Sequence, residues 1–143
     1  MSRTADRLRA AGERVTPQRL LVAEALDAVP GQVSAQELWE RIRRRHPRIG
    51  RATVFRTLDA LVAAGVARRL ERERHASGYV ACEPRHHHHL ACSGCGAVLD
   101  IDETLIRPVA ETVAAATGFV IDDALLDFYG RCATCAGAAS GAS

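Results

Sequence analysis

Apolar residues in the first half of the chain recur at the spacing expected of helices that pack on one side. The pair Thr16-Pro17 places a hydroxyl N-cap before a proline at the first helical position, which predicts a helix that runs as far as Pro30-Gly31. Ser34 and Glu37 form a capping box, so a second helix is predicted to begin directly after Ser34. These signals predict two short helices separated by a turn.

A third helix is predicted from Arg51 to the region of Gly65, because glycine commonly follows the last residue of a helix. Its buried stripe is predicted to consist of Val54, Leu58, Leu61 and Val62. Two strands are predicted next, over 66–70 and 79–82, and the polar segment between them joins them as a hairpin. Three helices followed by a hairpin are typical of a winged-helix domain, in which the third helix reads DNA and the hairpin forms the wing.

The second half of the chain alternates strands with one helix. The helix is predicted over 103–117 and ends at Gly118, with Pro108 marking a fresh first turn. The strands are predicted at 90–92, 97–101, 119–121 and 125–129. The fold class is therefore α+β, with an N-terminal winged-helix domain, a small C-terminal α/β domain and a disordered tail over 1–82, 83–136 and 137–143, respectively.

The composition is that of a globular protein, with 48% hydrophobic and 25% charged residues. No apolar run is long enough for a membrane span and the N-terminus has no apolar signal core, so we expect a cytoplasmic protein without membrane partners. The charge is divided unevenly. Residues 1–80 contain 16 arginines and 9 acidic residues, a net charge of +7, whereas residues 81–143 contain 3 arginines and 8 acidic residues, a net charge of −5. The basic half predicts a polyanionic partner.

All five cysteines lie in the second half, and four of them form two CxxC pairs, Cys92 with Cys95 and Cys132 with Cys135. Two such pairs supply the four soft thiolates of a tetrahedral zinc site. The tight turns that the pairs need are expected from three glycines, Gly94, Gly96 and Gly130. Unliganded cysteines and a thioredoxin-like redox pair fit the spacing less well, whereas a rubredoxin-like iron site shares the ligands and stays open. We predict a structural zinc ion that joins the two ends of the second domain.

Four consecutive histidines occupy positions 86–89, directly before a predicted strand. In extended backbone alternate residues face opposite sides, so His87 and His89 share one side. Cys82 is the only cysteine outside the CxxC pairs, and a thiolate with two imidazoles is a suitable start for a zinc site. We therefore predict that Cys82, His87 and His89 begin a second metal site, with Zn²⁺ as the expected ion.

Several segments resemble the ferric uptake regulator (Fur) family. They are VTPQR at 15–19, VSAQEL at 33–38, IGRATVFRTLDAL at 49–61, HHHHLACSGCG at 86–96 and YGRCATC at 129–135, in the family's order. The resemblance implies a winged-helix domain, a hinge and a metal-binding dimerisation domain, in a homodimeric repressor that binds a double-stranded DNA operator when its regulatory metal is present. With Cys82 before the histidines, the chain is most similar to the zinc uptake regulators, which use a cysteine there as a hinge ligand.

One hinge ligand of the zinc regulators is replaced in this chain. Arg68 stands where that ligand is expected, and arginine cannot bind a metal ion. We expect the substitute to be His75, which is near Cys82 on the same hairpin. Asp100 is the second choice, because a carboxylate at the corresponding position is a ligand in the family's peroxide sensors. Glu71 and Glu73 are further options.

The family's additional metal site is also altered. That site combines the other pair of histidines, here His86 and His88, with an acidic residue in the following helix and a histidine before the last CxxC pair. Arg107 and Ala124 stand at those two positions. We therefore expect His86 and His88 to be structural or to bind metal weakly.

The resemblance and the charge division both place DNA recognition on the helix that begins at Arg51. Phe55 stands where the family usually has tyrosine and keeps the ring for contact with thymine methyl groups. Arg51 and Arg56 are expected to contact bases or phosphates, and Thr53 to reach a phosphate. Arg19, by the resemblance, is a backbone or minor-groove contact.

Three other interpretations compete with a zinc-responsive repressor. An iron, manganese or peroxide sensor of the same family needs an oxygen-rich site, and Cys82 argues against it. A zinc enzyme such as a nucleobase deaminase needs a glutamate beside the ligands and a PCxxC helix start, and neither is present, so we predict that the protein is not an enzyme. A zinc-stapled adaptor protein is disfavoured by the basic half with its helix–turn–helix pattern.

Overall fold

The computed structural model of the 143-residue chain describes residues 3–71, 76–82 and 88–140. The chain divides into two compact units, Met1–Pro84 and Arg85–Ser143. This division lies two residues beyond the domain boundary expected from the sequence. Each unit has its own secondary structure and its own candidate site.

In the residues that the structure describes, the first unit contains four helices and a two-stranded hairpin. Its elements are α1 (Arg3–Ala10), α2 (Pro17–Asp27), α3 (Ala35–Arg43), α4 (Arg51–Ala63), β1 (Ala67–Glu71) and β2 (Ser77–Ala81). The two strands pair antiparallel, and a single β-bridge joins Val33 to Tyr79 of β2. This bridge anchors the hairpin beside the helices, and the predicted winged-helix arrangement is confirmed.

The helix starts follow the capping signals in the sequence. The Thr16 hydroxyl accepts the backbone N–H of Arg19 at 3.2 Å, and Pro17 opens α2. Ser34 and Glu37 bond reciprocally, because the Ser34 hydroxyl accepts the Glu37 N–H at 3.1 Å and the Glu37 carboxylate accepts the Ser34 N–H at 2.8 Å. These bonds satisfy N–H groups that have no partner within the helix.

The helices of the first unit close around one apolar core. Val54, Leu58 and Leu61 of α4 are fully buried, as predicted, whereas Val62 packs at the edge of the core. Each buried leucine or valine stabilises the fold by roughly 1.5–3 kcal/mol. The core therefore fixes which side of α4 stays exposed.

The sequence patterns do not predict helix α1. It has only 8 residues, and Leu8 is its single large apolar side chain. Leu8 is nevertheless fully buried in the core, and Ala5 is buried beside it. Helix α1 is therefore held by tertiary packing, which a local pattern cannot reveal.

Over residues 88–140, the second unit contains a three-stranded sheet and two helices. Its elements are β3 (His88–Cys92), β4 (Val98–Ile101), α5 (Glu103–Thr117), β5 (Asp127–Gly130) and α6 (Ala133–Ser140). The central strand β3 is antiparallel to β4 and parallel to β5. The parallel strands β3 and β5 need a long crossover connection. Helix α5 is part of this connection, because it lies between β4 and β5 in the chain. The predicted α+β class is confirmed.

Some details of the second unit differ from the sequence predictions. Helix α5 continues across Pro108, so the predicted fresh turn is wrong. Pro108 has no N–H to donate to the Thr104 carbonyl, so α5 lacks one hydrogen bond there but continues beyond it. Residues 119–121 form no strand, and Val120 is 86% exposed, since no neighbouring strand of the described chain pairs with them. Helix α6 extends through 137–140, so the first four residues of the tail that was expected to be disordered are helical.

Candidate metal centres and DNA-binding surface

The sulfur atoms of the two CxxC pairs converge at the end of the three-stranded sheet. The four Sγ atoms, those of Cys92, Cys95, Cys132 and Cys135, all lie within 4.8 Å of one another. Zinc–sulfur bonds of about 2.3 Å in a tetrahedron require sulfur separations of about 3.8 Å. The Sγ atoms of Cys95 and Cys132 are 3.9 Å apart, and no disulfide is formed. The donor set and its spacing fit one tetrahedral metal ion.

Hydrogen bonding makes two of these cysteines chemically different. The Cys92 sulfur accepts the backbone N–H of Cys132 at 3.3 Å, and this bond, with others from the Cys95 and Gly94 backbone, lowers the pKa of Cys92 to about 6. Hydrogen bonds to the Cys132 and Cys92 sulfurs, together with burial, raise the pKa of Cys135 to about 12. Near neutral pH the metal-free cluster therefore combines a preformed thiolate with a thiol that must lose its proton to bind metal.

Only two of the three glycines expected in the turns are required there. A Cβ atom at Gly94 would lie 2.9 Å from the Cys135 Sγ and 3.1 Å from the Cys135 Cβ. Gly96 has a φ of +74°, in the left-handed region that favours glycine. Gly130 has no positive φ, and a Cβ there would meet no atom within 4 Å. The close packing at Gly94 thus makes it part of the cysteine site.

His89 lies between two carboxylates on the neighbouring strands. It pairs in register with Asp100 of β4 and with Asp127 of β5, so the three side chains share one face of the sheet. The His89 Nε2 is 3.6 Å from an Asp100 oxygen, and Nδ1 is 3.5 Å from an Asp127 oxygen. The imidazole is fully buried, whereas the Asp100 side chain is 72% exposed. Sequence reasoning named Asp100 but missed Asp127, whose only signal was its place within the last predicted strand, at 125–129.

His88 uses both ring nitrogens within the fold. Its Nδ1 accepts the backbone N–H of Leu126 at 3.0 Å, which places the proton on Nε2. The Nε2 donates to the Glu103 carboxylate at 2.9 Å, and the ring is fully buried. Glu103 also lines a cavity of about 360 Å³ with Arg107 and Ala124, which the resemblance is expected to place at two ligand positions of the family's additional site.

The structure describes only some of the residues predicted to form the regulatory site. Cys82 is partly buried directly after β2, and its backbone N–H donates to the Val66 carbonyl at 2.8 Å. Cys82 belongs to the first unit, and His89 and Asp100 belong to the second. The other residues named for this site and for the additional site, His75, Glu73, His86 and His87, lie outside the described residues.

Helix α4 presents an aromatic ring with a cation beside it. Phe55 is 36% exposed, and the Arg51 guanidinium lies 5.0 Å from its ring centroid. Arg56 is exposed next to Phe55, whereas Thr53 is only partly exposed. These four residues lie within the first two turns of α4, and all four were predicted from the sequence to contact DNA. A helix of this kind enters the major groove with its N-terminal residues.

The arginines of the first unit fall into two groups. Arg19, another expected DNA contact, bonds the Glu13 carboxylate at 2.7 Å and the Arg14 carbonyl at 2.9 Å. Arg69 pairs with Asp59 at 2.8 Å. Among the described residues of this unit, nine exposed arginines form no ion pair. Two of them are Arg3 and Arg14, and the other seven lie between positions 41 and 56: Arg41, Arg43, Arg44, Arg45, Arg48, Arg51 and Arg56. Free positive charge is therefore concentrated just before and within the first turns of α4.

The sequence profile of the Ferric uptake regulator family matches residues 10–129. The chain belongs to this family. It is 34% identical over 126 residues to the zinc uptake regulation protein of Mycobacterium tuberculosis (strain CDC 1551 / Oshkosh), covering 88% of this chain and 97% of that protein. It is 33% identical over 141 residues to the ferric uptake regulation protein of Bacillus subtilis (strain 168), covering 96% and 95%. A solved zinc uptake regulator complexed with zinc and DNA superimposes with a TM-score of 0.67 at 28% identity, covering 98% of this chain and 99% of that one.

Membership assigns the protein its general role. It is a metal-responsive transcriptional regulator that binds double-stranded DNA as a dimer, and it is not an enzyme. The predicted Fur-family fold and the absence of catalysis are confirmed. Across the described residues, none of the helices combines the length and the apolar character needed to cross a membrane.

Proposed function

We propose that the protein is a zinc-responsive repressor of zinc uptake genes. The observation that carries this proposal is Cys82, which follows the wing and precedes the histidine run. A thiolate is a soft ligand that suits zinc, whereas oxygen-rich sites suit harder ions. The 34% identity to a zinc uptake regulation protein supports the same metal. The four-thiolate cluster would hold a second, structural zinc ion.

In this proposal the regulatory ion is held by Cys82, His87 and His89, with Asp100 as the fourth ligand. The 3.6 Å separation between Asp100 and the His89 Nε2 supports Asp100 over His75, because the carboxylate already lies beside a proposed ligand nitrogen. Asp127 lies at the opposite ring nitrogen, 3.5 Å away, where a carboxylate orients an imidazole and raises its basicity. Asp100 and Asp127 therefore have different roles toward one histidine.

The proposed ligands come from both units of the chain. Cys82 is contributed by the first unit, and His87 and His89 by the second. A metal ion bound by all three would link the units and favour the arrangement in which two recognition helices fit adjacent half-sites. Metal would then shift the population of the protein toward the DNA-binding arrangement, because a ligand favours the state that it binds more tightly.

The second unit supports pairing of two copies. Of the 15 residues of α5, only Ile106 is buried in the single chain. Large apolar side chains outside the helix are exposed too, including Leu99 at 61%, Leu125 at 64% and Phe119 at 74%. An apolar surface of this extent is unusual on a monomer and typical of an interface. We infer that the dimer forms through this unit.

The DNA surface of the proposal centres on α4. Phe55 supplies an apolar ring for thymine methyl groups, and Arg51 and Arg56 supply guanidinium donors for bases or phosphates. The unpaired arginines between positions 41 and 48 would add phosphate contacts, which strengthen binding without reading sequence. Arg19 contributes less in this view, because its guanidinium already bonds Glu13.

The test is DNA binding by the purified dimer that retains only its tightly bound metal. Duplexes are selected from a random pool, and their affinity is then measured at buffered free Zn²⁺, Fe²⁺ or Mn²⁺ without oxygen. We expect Zn²⁺ to tighten binding at the lowest free concentration and Cys82→Ser to abolish that response. If Cys82→Ser left the zinc response unchanged, the proposed site would be wrong.

A second candidate is an iron- or manganese-responsive regulator of the same family. The observation that favours it is the pair of carboxylates beside His89, since oxygen ligands suit harder ions. The 33% identity to a ferric uptake regulation protein is consistent with it. Tightening by Fe²⁺ or Mn²⁺ but not by Zn²⁺ in the same assay would select this candidate.

A further inference from the structure

One arginine of α1 connects three parts of the first unit. Helix α1 is fixed to the core by Leu8, which is fully buried. From the adjacent position, the Arg7 Nη1 donates to the Cys82 carbonyl at 3.0 Å, and its Nη2 donates to the Gly65 carbonyl. A single guanidinium thus joins α1, the turn after α4 and the residue that follows β2.

The turn after α4 is shaped to receive this guanidinium. Gly65 has a φ of +67°, and a Cβ atom there would lie 3.1 Å from the Arg7 Nη2. Glycine therefore serves both the left-handed backbone and the close approach of Arg7. The next residue, Val66, accepts the backbone N–H of Cys82 at 2.8 Å.

The Cys82 backbone is consequently held on both sides. Its N–H donates to Val66, and its carbonyl accepts from Arg7. Hydrogen bonds from a charged donor are stronger than those between neutral groups. A ligand on a backbone that is already fixed loses less conformational freedom when it binds.

We propose that Arg7 is a positioning residue for the regulatory metal, which it affects through the backbone of Cys82 without touching the ion. The proposal rests on the proposed function, in which Cys82 is a metal ligand. It makes α1 part of the sensor, although α1 contributes no ligand. Loss of a supporting partner of a metal ligand typically weakens metal binding 10- to 100-fold.

The test compares three variants of the full-length protein that retain the structural metal. Arg7→Ala removes both hydrogen bonds, and Arg7→Lys keeps a cation with a single donor group. Arg9→Ala is the matched control, because Arg9 lies on the same helix and its only ion-pair partner in the described part of the chain is Asp6, at 2.9 Å on the surface. Co²⁺ is the probe, since thiolate-to-cobalt absorption reports Cys82 directly, and competition with a chelator gives its affinity.

We expect Arg7→Ala to weaken Co²⁺ binding at this site by about tenfold, Arg7→Lys to lie between it and the unchanged protein, and Arg9→Ala to have no effect. Thermal unfolding of each variant without added cobalt separates this effect from a loss of fold. If Arg7→Ala does not fold, the intermediate affinity of Arg7→Lys carries the test.

Two results would overturn the inference. One is equal Co²⁺ affinity and equal thiolate absorption in Arg7→Ala and the unchanged protein. The other is equal weakening by Arg7→Ala and Arg9→Ala, which would show a general effect of α1. Cys82→Ser separates a failure of the proposed metal site from a failure of the role of Arg7. If Cys82→Ser keeps the thiolate absorption, the proposed site is wrong. If Cys82→Ser loses the absorption but Arg7→Ala binds Co²⁺ normally, only the role of Arg7 is rejected.

Discussion

The packing of Gly94 against Cys135 predicts that one added methyl group disrupts the cysteine site. In Gly94→Ala the new Cβ would lie 2.9 Å from the Cys135 Sγ, roughly 0.6 Å inside the ~3.5 Å at which such contacts become favourable. Relief requires a shift of Cys135 or of the backbone at position 94, between the two cysteines of the other CxxC pair, and either shift alters the spacing of the sulfurs. Overpacking of this kind costs about 1–3 kcal/mol, which corresponds to an increase of about 5- to 150-fold in the dissociation constant of the zinc ion.

The assay is zinc transfer to a chelator of known affinity, followed by thermal unfolding of each variant with zinc bound. Gly130→Ala is the matched control, because Gly130 lies in the same site region, has no positive φ and leaves open space for a Cβ. We expect Gly94→Ala to lose zinc at lower chelator concentration and Gly130→Ala to match the unchanged protein. Equal zinc retention by both variants would refute the steric argument.

Three further predictions follow from local geometry. Ser34→Ala should lower the free energy of unfolding in urea by about 1 kcal/mol, because it removes a helix cap, whereas Glu37→Gln, which keeps the capping pattern, should cost less. The pKa of Cys135 is raised to about 12 and that of Cys92 is lowered to about 6, so zinc binding near neutral pH should release a proton from Cys135 and almost none from Cys92. The number of protons released can be measured by calorimetry in buffers of different ionisation enthalpy. It should fall by about one in Cys135→Ser and change little in Cys92→Ser. The slope of log K for operator binding against log salt concentration should become shallower in Arg56→Ala, by about 0.9 for each phosphate that is no longer neutralised. The change should be smaller in Arg19→Ala, because Arg19 is paired with Glu13. A larger change in Arg19→Ala than in Arg56→Ala would contradict this argument.

Features that depend on neighbouring residues were predictable from the sequence. The hydroxyls of Thr16 and Ser34 cap the helices that they were expected to cap, and the paired CxxC spacing was enough to identify one four-sulfur site. Features that depend on pairing between distant segments were not predictable. Asp127 lies beside His89 only because β5 joins β3 in parallel register, and no pattern over a few residues contains that information. Helix α1 is a similar case, since Leu8 packs in a core built from residues far away in the chain.

The second unit indicates why metal, dimer and DNA binding are linked in this protein. Among its described residues, only three apolar side chains are buried, those of Ala91, Cys92 and Ile106, which is a small core for a unit of this size. In the proposed dimer, part of its stability would come from outside the single chain, through a metal ion at the cysteines and through a second copy that covers α5. A ligand shifts the population toward the ordered dimer when it binds the ordered dimer more tightly than the separated or loosened chains. DNA that spans two recognition helices is such a ligand. By the same reciprocity, operator DNA must raise the affinity for the regulatory metal by the factor by which that metal raises the affinity for DNA.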